Sequence, residues 1–159
     1  MIQDKREIEV DAPPEAVFNW IETMPDKFPV YALLETKPLF FLRVLLVDGM
    51  RAALEAINVE KTEEPLVLNV GEAMGPFTLS KSEKPVAYLF SLNSLFFNCQ
   101  TGYSLSPRGS GTVLSFDLIS RAPTFRERIY WYLIKPIHLL LAHKVLSVIK
   151  KKVEDRETN

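Results

Sequence analysis

The hydrophobic positions in the last third of the chain recur with the period of one long α-helix. From Thr124 to Val153 the sequence contains no glycine and a single internal proline. His138 falls near the centre of the apolar side of this helix. At about 100° per residue, that side also collects the apolar residues Ile134, Leu141, Ala142, Val145, Val148 and Ile149. We therefore predict a long C-terminal helix with one histidine on its buried face.

The first part of the chain predicts one strand followed by helices. Arg6 to Val10 alternates charged and apolar residues, which is typical of a half-buried strand. The Ala-Pro-Pro-Glu segment after it favours a helix start, and later prolines predict a turn or short second helix over Met24 to Tyr31. Leu39 to Ile57 has the length of a helix with a break at Gly49, although its Leu-Arg-Val-Leu-Leu-Val segment alone could form a strand.

Beyond residue 65 the pattern changes to short β-type runs separated by turn residues, and such short connections favour antiparallel hairpins. The predicted strands are Leu66 to Val70, Phe77 to Ser80, Val86 to Asn93, Phe96 to Leu105 and Thr112 to Ser120. We expect one face of this sheet to pack against the apolar side of the last helix. The residues predicted on that face are Val86, Tyr88, Phe90, Leu92, Phe97, Cys99, Thr101, Tyr103, Leu105, Leu114, Phe116 and Leu118.

Two segments carry a resemblance to known proteins. The opening IEVDAPPEAVFNWI runs from a strand through Ala-Pro into a helix bearing Val-Phe, and the last helix contains Tyr130, Trp131, Tyr132, Pro136 and His138. With the order of elements, they resemble the START-like, birch-allergen-like helix-grip superfamily (SRPBCC, polyketide cyclase-like). The last helix, LRVLLVDGMRAAL and VGEAMGPFTL are similar to an uncharacterised family in it, sometimes attached to sugar-nucleotide-epimerase-like proteins.

The resemblance implies an α+β helix-grip fold, in which a curved antiparallel sheet wraps around a long C-terminal helix, with short helices after the first strand. The length of 159 residues fits a single domain of this kind, residues 1–159. Lipid carriers and polyketide cyclases share the fold, so the resemblance also implies a hydrophobic cavity between sheet and helix. It implies no activity, because the most similar family has none assigned.

Composition and motifs argue against several classes of function. The net charge is −1 and the only basic run is Lys150 to Lys152, which argues against nucleic acid as a partner. The sequence lacks GxGxxG, GxxxxGK, HExxH and GxSxG motifs. His138 and His143 are predicted to lie on different faces of their helix, so they do not share a metal. We expect no metal and no cofactor.

The chain also lacks the marks of export or membrane insertion. Its first residues are charged, its single cysteine is Cys99, and no run of about 18 apolar residues is uninterrupted. We expect a cytoplasmic protein without a transmembrane segment, and peripheral contact with a membrane stays open. The oligomeric state is not predicted by the sequence.

His138 is the first candidate for a functional side chain. It could bond a carbonyl or hydroxyl of a ligand, or transfer a proton to or from it. The interpretation that the sequence alone favours is a structural histidine, bonded to a core tyrosine or a backbone carbonyl. In either case we expect a neutral imidazole that forms hydrogen bonds rather than an ion pair.

Three functions therefore remain open. The one that we favour is binding of a small hydrophobic or lipid-like molecule in a cavity between the sheet and the last helix. One alternative is an enzyme of the cyclase, aromatase or dehydratase type that uses His138 and a tyrosine for proton transfer. The other alternative is a non-enzymatic partner-binding module with a filled interior. The residues predicted to line the cavity are Phe77, Tyr88, Phe90, Phe97, Tyr103 and Phe116 from the sheet and Ile134, His138, Leu141 and Val145 from the helix.

Overall fold

An antiparallel sheet and three helices make up the part of the chain that the structure describes. The structure is a computed structural model, and it describes residues 1–23, 37–57, 67–74, 77–93 and 97–157. In chain order the elements are β1 (Ile2–Val10), α1 (Pro14–Glu22), α2 (Lys37–Ile57), β2 (Ala73–Met74), β3 (Phe77–Glu83), β4 (Ala87–Asn93), β5 (Asn98–Arg108), β6 (Gly111–Ser120) and α3 (Phe125–Glu157).

The six strands form one sheet in the order β1-β6-β5-β4-β3-β2, and every neighbouring pair is antiparallel. The first and last strands of the chain are therefore paired, and β1 lies at an edge. Their register sets Arg6 opposite Phe116, Phe116 opposite Tyr103, and Tyr103 opposite Tyr88. Side chains directly opposite each other lie on the same side of a sheet. One face of the sheet is thus continuous from β1 to β4 and carries the predicted aromatic residues.

Helix α3 lies on that face, mainly along β1, and it also contacts β6, α1 and α2. Burying a large apolar side chain is worth roughly 1.5–3 kcal/mol, so the buried arc of α3 holds the helix on the sheet. The predicted α+β helix-grip fold, with its antiparallel sheet and long C-terminal helix, is confirmed. The buried residues of α3 are Glu127, Trp131, Ile134, His138, Leu141, Ala142, Val145, Leu146, Val148, Ile149 and Val153.

By length and composition alone, α3 is apolar enough to cross a membrane. In the structure 44% of its most apolar stretch is buried inside the protein. A core helix of a folded domain passes the same test of length and composition. The packing on the sheet therefore identifies α3 as the core helix of this fold.

The predicted helix over Leu39 to Ile57 is confirmed, and its alternative as a strand is wrong. Helix α2 spans Lys37–Ile57 and is broken at Gly49, whose backbone has φ 85° and ψ 177°. A residue with a side chain rarely adopts this conformation, so glycine is the residue that permits the break there. The predicted turn or helix over Met24 to Tyr31 lies outside the described residues.

The predicted strand over Leu66 to Val70 is wrong where the structure describes it. Residues 67–72 are irregular and contain a turn, in which the Glu72 carboxylate accepts hydrogen bonds from the backbone and side-chain amides of Asn69. A side chain that satisfies the backbone in this way competes with strand pairing. Val86 also departs from prediction, because it precedes β4 in a turn and is exposed.

Candidate functional site

The edge strand β1 places two charged side chains on the face that meets α3. Its alternate residues Ile2, Asp4 and Val10 are buried, and Arg6 and Ile8 between them are half-buried. The residues that intervene are exposed. Because alternation along a strand is strict, Asp4 and Arg6 point to the same side as the apolar residues. An acidic side chain, Asp4, and a basic side chain, Arg6, therefore lie between β1 and α3.

Asp4 connects this pair to His138 on α3. The Nε2 atom of His138 lies 3.6 Å from Oδ2 of Asp4, and the two residues are 7% and 9% exposed. The guanidinium of Arg6 donates hydrogen bonds to both oxygens of Asp4, at 3.0 Å and 3.3 Å. A buried carboxylate requires such partners, since an isolated buried charge is strongly unfavourable. Arg6 itself remains partly exposed, so the three side chains lead from the surface to the interior.

Two aromatic rings lie beside the imidazole of His138. The ring of Trp131 lies 5.2 Å from it, and the ring of Phe116 lies 6.0 Å away, both measured between centroids. Trp131 stacks in turn on Phe97 at 5.8 Å, and Phe116 contacts Tyr103 at 5.5 Å. The polar group thus sits in a largely apolar environment, where a hydrogen bond or a charge interaction is stronger than in water.

The structure brings the predicted site residues together between the sheet and α3. They form two adjoining clusters, with Phe77 packed against both. The second cluster contains Phe97 and Ile134, and His138 approaches it through Trp131. The first cluster contains Tyr88, Phe90, Tyr103, Leu141 and Val145, with Phe116 packed against it. Of these residues Phe77 and Phe116 are only partly buried, although both belong to the inner face.

The two inner tyrosines are poorly suited to donating or accepting a proton near neutral pH. Burial raises the pKa of Tyr88 to about 12, and the nearby charge of Glu22 adds to the increase. Burial raises the pKa of Tyr103 well above its ordinary value too. Both hydroxyls therefore stay protonated and act as hydrogen-bonding groups. Among the described residues, Asp4 is an ionisable neighbour of His138.

Sequence reasoning missed Asp4 and Arg6, and it expected no ion pair for His138. The alternation that marked Ile8 and Val10 as inward-facing continues backwards through Arg6 and Asp4 to Ile2. That signal was available, but charged residues in a strand are usually assigned to its solvent face. Among the described residues, no group of His, Cys, Asp or Glu side chains converges on a metal-sized site.

A surface pocket of about 300 Å³ lies next to this site. Strand β1 and the residue before it contribute Met1, Ile2 and Gln3, and α3 contributes Arg128, Trp131, Tyr132 and Lys135. Trp131 is shared between the pocket and the surroundings of His138. The pocket therefore reaches from the surface to the aromatic wall of the site.

Comparisons with known proteins give a family and several distant structures. CalU16 from Micromonospora echinospora is 14% identical with a TM-score of 0.43, over 97% of this chain and 84% of that one. TTHA0849 from Thermus thermophilus is 13% identical with a TM-score of 0.43, over 96% and 97%. Ara h 8.0201 is 9% identical with a TM-score of 0.38, over 93% and 97%. No curated protein matches the sequence.

One family profile matches residues 1–145, and its description is "Protein of unknown function (DUF2867)". The matched range includes Asp4, Arg6 and His138. The expected connection to sugar-nucleotide-epimerase-like proteins is not addressed by these matches. Because the profile covers most of the chain, this protein belongs to the DUF2867 family.

Proposed function

We propose that this protein binds a small hydrophobic molecule between the sheet and α3, with His138 and Asp4 holding the ligand's polar group. The observation that carries the proposal is the partial exposure of Phe116. This residue lies in β6, a strand paired on both sides, and faces the helix layer. An inward side chain on an interior strand stays accessible only where the covering helix leaves space. The ring of His138 lies 6.0 Å from that of Phe116, so we place the polar end of the ligand beside the imidazole.

The chemistry of the surroundings fits an amphipathic ligand. Apolar walls favour burial of a hydrocarbon part, at about 25 cal/mol per Å² of apolar area removed from water. Binding sites of this kind use few polar groups, which fix the orientation of the ligand. Asp4 accepts hydrogen bonds, and His138 donates or accepts them according to its tautomer. A hydroxyl or carbonyl on the ligand therefore finds a partner at the His138 end of the space.

Binding of a fluorescent fatty-acid analogue tests the proposal. Replacing His138 with alanine removes one hydrogen bond to the ligand, and we expect the affinity to fall about tenfold. His143 provides a matched control, because it lies on the same helix but is exposed. His143→Ala should bind the analogue like the wild type. Equal affinity of the His138→Ala variant and the wild type would remove His138 from the site.

A second candidate function is acid–base catalysis on a bound hydrophobic substrate, of the cyclase, aromatase or dehydratase kind. The observation that favours it is the Asp4 carboxylate 3.6 Å from His138, because a carboxylate orients an imidazole and stabilises its protonated form. Asp4→Asn separates the two candidates. If the protein is a carrier, the Asp4→Asn variant releases its ligand chemically unchanged, as the wild type does. If it is an enzyme, the wild type converts the substrate, and the Asp4→Asn variant binds the substrate but no longer converts it.

The cytoplasm remains our proposal for the location of the protein. A chain with a single cysteine makes no internal disulfide, and Cys99 is buried in the fold. Such cysteine usage is typical of proteins that work in a reducing compartment.

A further inference from the structure

The outer face of α3 carries an unusual series of exposed apolar side chains. These residues are between 49% and 79% exposed, and they are Phe125, Ile129, Tyr132, Leu133 and Leu140. At about 100° per residue they share an arc roughly 100° wide, on the side of the helix away from His138. We call these five residues the outer stripe. Single exposed apolar residues are common, but a contiguous series on one helix indicates an interaction surface.

Basic residues border the outer stripe on both sides. By the same angular spacing, Arg128 and Lys135 lie along one margin, and Arg126 and Lys144 lie along the other. All four are exposed. The whole chain has a net charge of −1, so this basic surface is a local feature and not a general excess of cations.

Acidic residues are nearly absent from the same stretch. Glu127 is the only acid between residues 125 and 153. Its carboxylate is turned inward, where it accepts hydrogen bonds from the backbone amides of Asn98 and Thr124. The outward surface of the first half of α3 therefore combines an apolar centre with positive margins.

We propose that the outer stripe and its basic margins dock the protein on an anionic lipid membrane. A helix that lies in the membrane interface has this arrangement, with aromatic and aliphatic residues in the acyl region and Lys or Arg at the headgroups. The charges favour lipid over a second copy of the chain, because a symmetric dimer would bring the same cationic margins together. The opposite side of α3 is buried on the sheet, so the helix lies along the membrane and does not cross it.

The docking face also adjoins the pocket beside the candidate site. Arg128, Tyr132 and Lys135 belong both to this face and to the pocket lining. Membrane contact would therefore bring the mouth of the pocket to the lipid. This docking does not depend on a ligand inside the protein, so it is tested separately from the proposed function.

Flotation of the full chain with lipid vesicles tests the proposal. We expect binding to vesicles that contain phosphatidylserine, little binding to pure phosphatidylcholine, and weaker binding as salt is raised. A basic side chain near an anionic surface contributes about fivefold in partitioning, so the charge reversal Lys135→Glu should reduce binding about 25-fold. Leu133→Glu should abolish binding by placing a charge at the centre of the outer stripe.

Exposed residues elsewhere provide matched controls for the same assay. Lys81→Glu reverses a surface charge on β3, and Val86→Glu changes an exposed apolar residue before β4. Both should float like the wild type, and so should His138→Ala, which affects only the interior. Circular dichroism checks that each variant is folded.

Three results would overturn the proposal. The first is no flotation with phosphatidylserine vesicles. The second is an equal loss in the control variants and in Lys135→Glu. The third is a protein that does not bind vesicles but forms a concentration-dependent dimer, which the Leu133→Glu substitution dissociates. The outer stripe would then be covered by a second copy of the chain.

Discussion

Glu127 joins the start of α3 to the sheet, and its replacement by alanine is the most informative test of how the helix is held. Its Oε2 accepts hydrogen bonds from the backbone amide of Thr124 at 2.7 Å and from the Thr124 hydroxyl at 2.9 Å. The Thr124 hydroxyl accepts one from the Glu127 amide at 3.3 Å, which completes a capping box. The Oε1 atom accepts a further hydrogen bond from the amide of Asn98, the first residue of β5, at 3.0 Å.

The cost of Glu127→Ala follows from these bonds. Loss of a helix cap costs about 1 kcal/mol. The Asn98 amide also loses its hydrogen bond to the carboxylate, and a hydrogen bond to a charged group is worth about 1.5–3 kcal/mol. These bonds are partly buried, because Glu127 is 8% exposed while Asn98 and Thr124 are exposed residues. We expect the free energy of unfolding to fall by about 2–4 kcal/mol, and by about 1 kcal/mol for Glu127→Gln, which keeps an oxygen acceptor.

The same bonds give the effect a pH dependence. Hydrogen bonds from the backbone amide of Thr124, and then from Asn98, lower the pKa of Glu127 below its ordinary 4.5. A carboxyl group whose pKa is lower in the folded state stabilises the fold above its unfolded pKa. That contribution disappears as the pH falls through the lowered, folded-state pKa. The difference in stability between wild type and Glu127→Gln should therefore be full at neutral pH and vanish in strong acid.

Urea denaturation of the wild type and both variants, at neutral pH and in acid, measures these differences. Glu15→Gln is a suitable control, because Glu15 lies in the first turn of α1 and is exposed. We expect this control to change stability by less than about 0.5 kcal/mol. A loss of stability for Glu127→Ala as small as that of the Glu15→Gln control would refute the role assigned to this carboxylate. So would a stability difference between the wild type and Glu127→Gln that does not change with pH.

Three further predictions concern the sheet and the site, and urea denaturation measures each of them. Gly102→Ala should cost at least about 3 kcal/mol or prevent folding, because the new Cβ would overlap the backbone of Tyr88 and Leu89 in β4; wild-type stability would contradict this. Thr112→Val should cost about 1–2 kcal/mol, since the buried hydroxyl donates a 2.7 Å hydrogen bond to a backbone carbonyl; a neutral effect would show that this bond contributes nothing. Asp4→Asn and His138→Gln should be coupled by about 0.5–3 kcal/mol in a double-mutant cycle, whereas additive losses would mean that the two side chains do not interact.

The periodicity of hydrophobic residues correctly predicted the helix and strands that have one buried face. The arc of α3 that contains Ile134, Leu141 and Val145 is buried as expected, because the helical period and the burial agree over many turns. The aromatic faces of β4 and β5 follow in the same way from the period of two. His138 is buried where the pattern placed it.

Only part of the candidate site was predicted from the sequence. His138 and the aromatic residues were predicted, whereas Asp4 and Arg6 were not, because charged side chains usually face the solvent. Asp4 and Arg6 satisfy each other on the inner side of β1, and neither residue type alone indicates burial. The partner of His138 comes from the other end of the chain, so local sequence spacing does not reveal it.

The outer stripe of α3 and the irregular segment near residue 70 were also not predictable from hydrophobic periodicity. The outer stripe was not predicted from the sequence, although α3 carries apolar residues such as Leu133 and Leu140 opposite its buried arc. With apolar residues on two sides of one helix, the pattern does not say which side is buried. The apolar run at residues 66–70 is too short to separate a strand from a loop, and the bonds between Asn69 and Glu72 decide in favour of a turn.

Native mass spectrometry of the protein purified from expressing cells, beside its Phe116→Trp variant, tests most directly whether the space next to His138 holds a ligand. We expect the wild type to carry a copurified hydrophobic molecule, released on denaturation. The larger ring of Phe116→Trp should fill the space and exclude that molecule while the fold is retained. A wild type that carries no such molecule, or a variant that retains it in full, would contradict the account.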